Sequence, residues 1–234
     1  MCTIFIGFAK AGISSIGILA VTFLMYVFPA KESVGIVLPM LITGDLFAII
    51  YYRRNVVWKH IITLLPWVFI GLIVGYFLLD VISDSQLKPI IGGLVLILII
   101  LQVSREKFGE KFNEKLPKST WFTLFMGILA GFTTMIGNAA GSIMAIYLLV
   151  KGLPKRDFIG TGAWYFIIVN LIKVPFYIHL GLITVDSITL NLWLIPTILI
   201  GAFIGIALIK RIPQHIFQAL ILVFAACGAF GLIF

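Results

Sequence analysis

The chain has 234 residues, 62% of them hydrophobic and 11% charged, with a formal net charge of +8. Apolar runs near the ~20 residues that cross a bilayer predict a polytopic helical membrane protein, and no connection is long enough to hold a soluble catalytic domain. A membrane barrel needs alternating polarity, which is missing, and the Lys and Arg excess lies in short connections, where it signals topology rather than nucleic-acid binding.

Eight apolar segments are expected, at about 2–28, 34–52, 56–79, 88–103, 120–150, 158–178, 188–209 and 214–233. The first carries Lys10, Gly12, Ser14, Ser15 and Gly17. An ammonium in a bilayer core either faces an interior cavity, where it can hold an anion, or snorkels to a nearby interface. The second segment carries Asp45 at its middle. An intramembrane carboxylate suggests a proton or cation relay, or a partner for Lys10. After the fourth segment, the basic stretch 105–118 separates a first transmembrane repeat at 1–104 from a second at 119–234.

The fifth segment contains Phe132–Thr133–Thr134–Met135–Ile136–Gly137–Asn138–Ala139–Ala140–Gly141–Ser142. Asn and Thr are costly in hydrocarbon unless partnered, and Gly weakens a helix and admits close neighbours. Transporters place substrate at such polar, Gly-punctuated breaks, although tight helix packing uses small residues too. Broken helices offer free N–H groups that attract anions, with Ser, Thr and the Asn138 amide as further donors. Candidate binding positions are thus Lys10, Gly12, Ser14, Ser15 and Gly17 in the first segment, and Thr134, Gly137, Asn138, Ala139, Gly141 and Ser142 in the fifth.

The sixth segment adds Thr161 and Trp164 as donors able to line a cavity, with plain packing the alternative for Trp164. Asn170 sits where Asp45 sits in the first half. Lys173 brings a second positive charge, or snorkels towards an interface suggested by Tyr177 and His179. His179 stands alone and reads as an exposed loop residue, and Cys2 and Cys227 show neither metal nor disulfide spacing. The N-terminus lacks the pattern of a removable signal peptide. No nucleophile with a base, ligand cluster or phosphate-binding loop is found, so neither an enzyme nor a cofactor is expected.

The halves align with each other: Pro29 and Gly35 with Pro154 and Gly160, Asp45 with Asn170, and Pro66, Gly71 and Gly75 with Pro196, Gly201 and Gly205. Eight full crossings would split the loop cations almost evenly between the two faces. If segments one and five are broken hairpins that leave on the side they enter, the loop cations gather on one face except Lys31 and Lys88. The positive-inside rule favours that arrangement. The expected fold is therefore an all-α bundle of two inverted repeats, each with a re-entrant first segment and three spanning helices. Both termini are then outside and the linker is cytoplasmic.

Several stretches resemble the TauE/SafE sulfite-exporter family of bacterial membrane proteins, over essentially the whole chain. They are Gly7–Phe8–Ala9–Lys10–Ala11–Gly12, Pro29–Ala30–Lys31–Glu32–Ser33–Val34–Gly35, Tyr51–Tyr52–Arg53–Arg54, Thr133–Thr134–Met135–Ile136–Gly137–Asn138–Ala139–Ala140–Gly141, Gly160–Thr161–Gly162–Ala163–Trp164–Tyr165 and Asn170–Leu171–Ile172–Lys173–Val174–Pro175–Phe176–Tyr177. The commoner glycine cluster of the first repeat is replaced here by Ile13–Ser14–Ser15–Ile16–Gly17. The resemblance implies export of sulfite or a related organosulfur anion across the bacterial cytoplasmic membrane. The expected mechanism is alternating access, with the anion neutralised by Lys10 and held at the helix breaks. The alternatives are an anion channel and proton-coupled uptake. Expected partners are the anion, the lipid bilayer and, where transport is coupled, protons; the oligomeric state is left open.

Overall fold

The computed structural model describes residues 3–4, 6–7, 17–52, 54–115 and 120–209. Among them all the regular structure is helical: α1 (Gly17–Leu24), α2 (Ala30–Tyr52), α3 (Trp58–Val81), α4 (Asp84–Lys115), α5 (Thr120–Gly137), α6 (Gly141–Val150), α7 (Lys155–His179) and α8 (Val185–Ile209). Residues 3–4 and 6–7 are also helical. Five of these helices, α2, α3, α5, α7 and α8, are long and apolar enough to cross a membrane. The expected last segment, 214–233, lies outside the described residues.

Two boundaries differ from expectation. The fourth segment does not stop near 103: α4 runs to Lys115 and takes in most of the stretch expected to be a linker. Glu and Lys are strong helix formers, so a charged tail extends an apolar helix once it is nucleated. The fifth segment is two helices, parted at Asn138, Ala139 and Ala140.

Side-chain contacts give the helix directions. Leu64 and Trp67 of α3 meet Gly127 of α5, Val68 meets Gly131, and Gly75 meets Met135, so α3 and α5 run the same way. A Cβ on Gly131 would collide with the Val68 carbonyl and one on Gly71 with the Ile128 carbonyl, so this crossing is built on backbone-to-backbone approach. Trp58 packs on Trp164 at 5.1 Å and Tyr76 on Phe176 at 5.3 Å, which sets α7 parallel to α3. Asp45 meets Asn170 while Gly35 presses on Leu182, so α2 runs opposite to α7. Asn191 reaches Ile36, and Phe47 meets Phe203 at 5.2 Å, so α8 runs with α2.

The short α6 turns back. Its Tyr147 hydroxyl donates to the His60 carbonyl at 3.4 Å, near the start of α3. Lys151, just past its end, donates to Thr123 Oγ1 at 3.3 Å in the first turn of α5. The α5–α6 unit therefore begins and ends at one end of the bundle, beside the loop at 54–57 and the start of α7. The connections at 82–83 and 181–184 form the opposite end. There the Lys31 backbone N–H donates to Asp84 Oδ1 at 2.7 Å and ties the start of α2 to that of α4.

Candidate functional site: a buried lysine at a helix break

The break in the fifth segment is shaped by Asn138. Its φ of 53° is the left-handed conformation that closes a helix, tolerated by Asn better than by most residues. Its N–H donates to the Thr134 carbonyl at 3.0 Å, capping α5. Gly141 then opens α6, and Met144 N–H donates to the Ala140 carbonyl at 2.9 Å. Thr134, Gly137, Asn138, Ala139, Gly141 and Ser142 are all buried, so the polar run sits inside the bundle.

Lys173 enters this break from α7. Its side chain is fully buried, with 0% exposure, and does not snorkel. The ammonium donates to Asn138 Oδ1 and, at 3.4 Å, to Thr134 Oγ1. It also lies 4.9 Å from the centre of the Tyr177 ring, a cation–π distance. Tyr177 is itself fully buried, and its hydroxyl donates to the Met135 carbonyl at 2.6 Å. The C-terminal end of α5, which carries the negative pole of its dipole, is thus met by an ammonium and a phenol from α7.

The Asn138 amide has a fixed orientation. Its oxygen accepts from an ammonium, which cannot accept in return, and its nitrogen donates to the Val34 carbonyl of α2 at 3.0 Å. Pro39 has no N–H for the Gly35 carbonyl, and the flanking carbonyls of Val34 and Ile36 receive the amides of Asn138 and Asn191.

One turn earlier on α7, Asn170 Nδ2 donates to Asp45 Oδ2 at 2.7 Å. Asp45 is 0% exposed, and it and Lys173 are the two charged side chains buried among the described residues. Asn170, Lys173 and Tyr177 follow i, i+3, i+7 spacing and share one face of α7. The structure therefore gathers two buried polar groups on one face of α7, Lys173 with Thr134 and Asn138, and one turn earlier Asn170 with Asp45.

Other expected positions fall elsewhere. Thr161 Oγ1 accepts the Val57 backbone N–H at 3.0 Å, and Trp164 packs on Trp58 with its indole nitrogen buried and unpartnered. They precede Lys173 on α7 by about 18 and 14 Å of helix rise, towards the end where α5 begins. At that end Lys151 lies over the Tyr147 ring at 5.2 Å, and burial lowers the pKa of its ammonium. Lys10, Gly12, Ser14 and Ser15 lie outside the described residues, and Gly17 opens α1. His179 is exposed, as expected, but its ring Nδ1 is 2.9 Å from the Tyr76 hydroxyl. Among the described residues no group of three or more His, Cys, Asp or Glu side chains is placed to hold a metal. Two members of the cluster, the Val34 carbonyl and the Tyr177 hydroxyl, were not expected from sequence. The spacing of Tyr177 four residues after Lys173 was the available signal.

A family model described as "Sulfite exporter TauE/SafE" matches residues 1–232. The chain belongs to this family. No curated protein and no solved structure matches it significantly. Membership in TauE/SafE, together with the five apolar helices, makes this a multi-pass membrane protein of a transporter family. The family match spans both halves, so it includes the break and the α7 face that meets it.

Proposed function

We propose that this protein exports a small anion, sulfite or a related organosulfur anion, across the bacterial cytoplasmic membrane by alternating access. The observation that carries the proposal is the Lys173 ammonium, fully buried at the α5–α6 break. A buried cation needs acceptors or an anion, and here it stands where a helix is interrupted in a sulfite-exporter family member. Lys173 fills in the second half the role expected for Lys10 in the first, which lies outside the described residues.

Paired contacts support an inverted duplication. Gly35 abuts the Leu182 carbonyl before α8, and its counterpart Gly160 abuts the Asn55 carbonyl before α3. Gly7 meets Ile198 and Ala202 of α8 as Gly131 meets Val68 and Leu72 of α3. The helix pairs α2 and α7, and α3 and α8, run in opposite senses. The return of Lys151 to Thr123 supports a re-entrant α5–α6 unit. In this reading the ends of the chain face outside, and the 54–57 and 151–154 turns face the cytoplasm.

An interior-negative potential drives an outgoing anion by ~2.3 kcal/mol per charge per 100 mV, so no coupling ion is required. The buried Asp45 favours one second reading, uptake coupled to protons that titrate its carboxylate. Flux from proteoliposomes separates these readings. Export predicts saturable sulfite efflux with counterflow, driven by the imposed potential. Flux that follows a pH gradient and is lost in Asp45→Asn supports coupled uptake, and unsaturable high conductance supports a channel.

A further inference from the structure

Asn138 stands between the cation and the other half of the molecule, and its two bonds have a joint consequence. We propose that the Asn138 amide is a built-in stand-in for the transported anion, whose displacement frees the helix break from α2. This rests on the transport reading above.

The amide oxygen occupies an acceptor position on Lys173 that a sulfur–oxygen group would take. The same amide, through its nitrogen, holds the Val34 carbonyl of α2. α2 belongs to the first half, and Asn138 and Lys173 to the second. An incoming oxyanion that takes the ammonium turns the amide away, and a rigid planar group cannot then keep its bond to Val34. Loading the site therefore loosens the contact that ties the break to α2. The pivot is suited to this: Asn138 is the left-handed residue between two helices, so its side chain turns without unwinding either. On the α2 side, Pro39 has already removed one backbone bond from the turn that is released. Without an anion the amide satisfies both partners, so the unloaded cation is not left bare while the break stays tied to α2.

Two substitutions divide the roles. Asn138→Gly keeps the left-handed backbone and removes only the side chain. Without an internal competitor, the half-saturating sulfite concentration falls by about tenfold, the scale of one hydrogen bond to a charged group. Asn138→Asp keeps the shape but places a carboxylate on Lys173, and half-saturation rises by at least about tenfold. A residue that merely packs would instead lower maximal flux in both variants, with half-saturation unchanged or raised in Asn138→Gly; that result overturns the proposal.

Hydrogen exchange of the full chain gives a readout that does not depend on transport. Asn138→Gly without any anion is expected to speed exchange in 30–40 and 133–142 together, and sulfite to do the same in the unaltered protein. If the unaltered protein moves none of sulfite, sulfate and methanesulfonate, the transport reading fails. The exchange of Asn138→Gly then decides the locking role alone: acceleration in both stretches upholds it, and a change confined to 133–142, or none, overturns it.

Discussion

A lysine ammonium sealed inside a helical bundle is stable only if acceptors replace its lost water, and the effective penalty otherwise is several kcal/mol. Lys173 has Thr134 and Asn138 as acceptors and the Tyr177 ring beside it, with Asn170, one turn away on the same face of α7, bonded to Asp45 of α2. Replacing it by Met retains the volume and removes the charge. Sulfite flux should fall roughly tenfold to a hundredfold, as expected for losing hydrogen bonds to a charged group, while the protein still assembles in the membrane. Asp45→Asn removes the other charge buried among the described residues, the acceptor of the Asn170 amide. The melting temperature should drop, by about the 1.5–3 kcal/mol of a lost hydrogen bond to a charged group, and millimolar sulfite should recover more of it than in the unaltered protein. Equal shifts with sulfite and chloride would count against an anion site. At this scale the sequence was informative about identity and silent about direction. Lys173, Asp45 and Asn138 stand out because polar groups are rare in such segments. Whether Lys173 points inward was undecided, because Pro175, Tyr177 and His179 read equally well as an approach to the interface. Only the packing of α7 against the break settles it, burying Tyr177 while leaving His179 exposed.

Among the elements, the interruption of the fifth segment was legible from its Gly and Asn content, and the structure puts the left-handed residue at Asn138. The length of α4 was not legible, since charges that mark the end of a hydrophobic run need not mark the end of a helix. The α3–α5 crossing was visible only as glycines of uncertain purpose. Gly71 and Gly131 prove to be the points where the two backbones touch. Gly131→Val should therefore destabilise the protein by about 3 kcal/mol or more, because the obstructing atoms belong to the α3 backbone and cannot move aside. Gly93, whose added Cβ meets nothing within 4 Å, is the control. Thermal unfolding in detergent of Gly131→Val and Gly93→Ala measures the contrast, and equal melting temperatures would contradict the crossing.

For the whole molecule, the arrangement of loops is the property on which the proposed transport depends. In the proposed mechanism two halves of opposite sense rock about a shared centre, where the α5 break, α2 and α7 meet. The duplication was read from the sequence through Gly35 and Gly160, Pro66 and Pro196, and Gly71 and Gly201, and the two glycine pairs each press on a neighbouring backbone carbonyl. The contacts between the halves were not, since neither Asn138 with Val34 nor Asp45 with Asn170 leaves a local pattern. The arrangement predicts that single cysteines placed at Asn55 and Gly152 are labelled from the same side of the membrane, and those at Ser83 and Gly181 from the other. If Gly152 were labelled with Ser83, the fifth segment would cross fully and the bundle would need another topology. The central claim, that an anion is carried at the Lys173 ammonium, is tested most directly by sulfite flux in proteoliposomes under an imposed potential, comparing the unaltered protein with Lys173→Met. Saturable flux that follows the potential and collapses in the variant is the predicted result. Flux that persists undiminished without the lysine would contradict it.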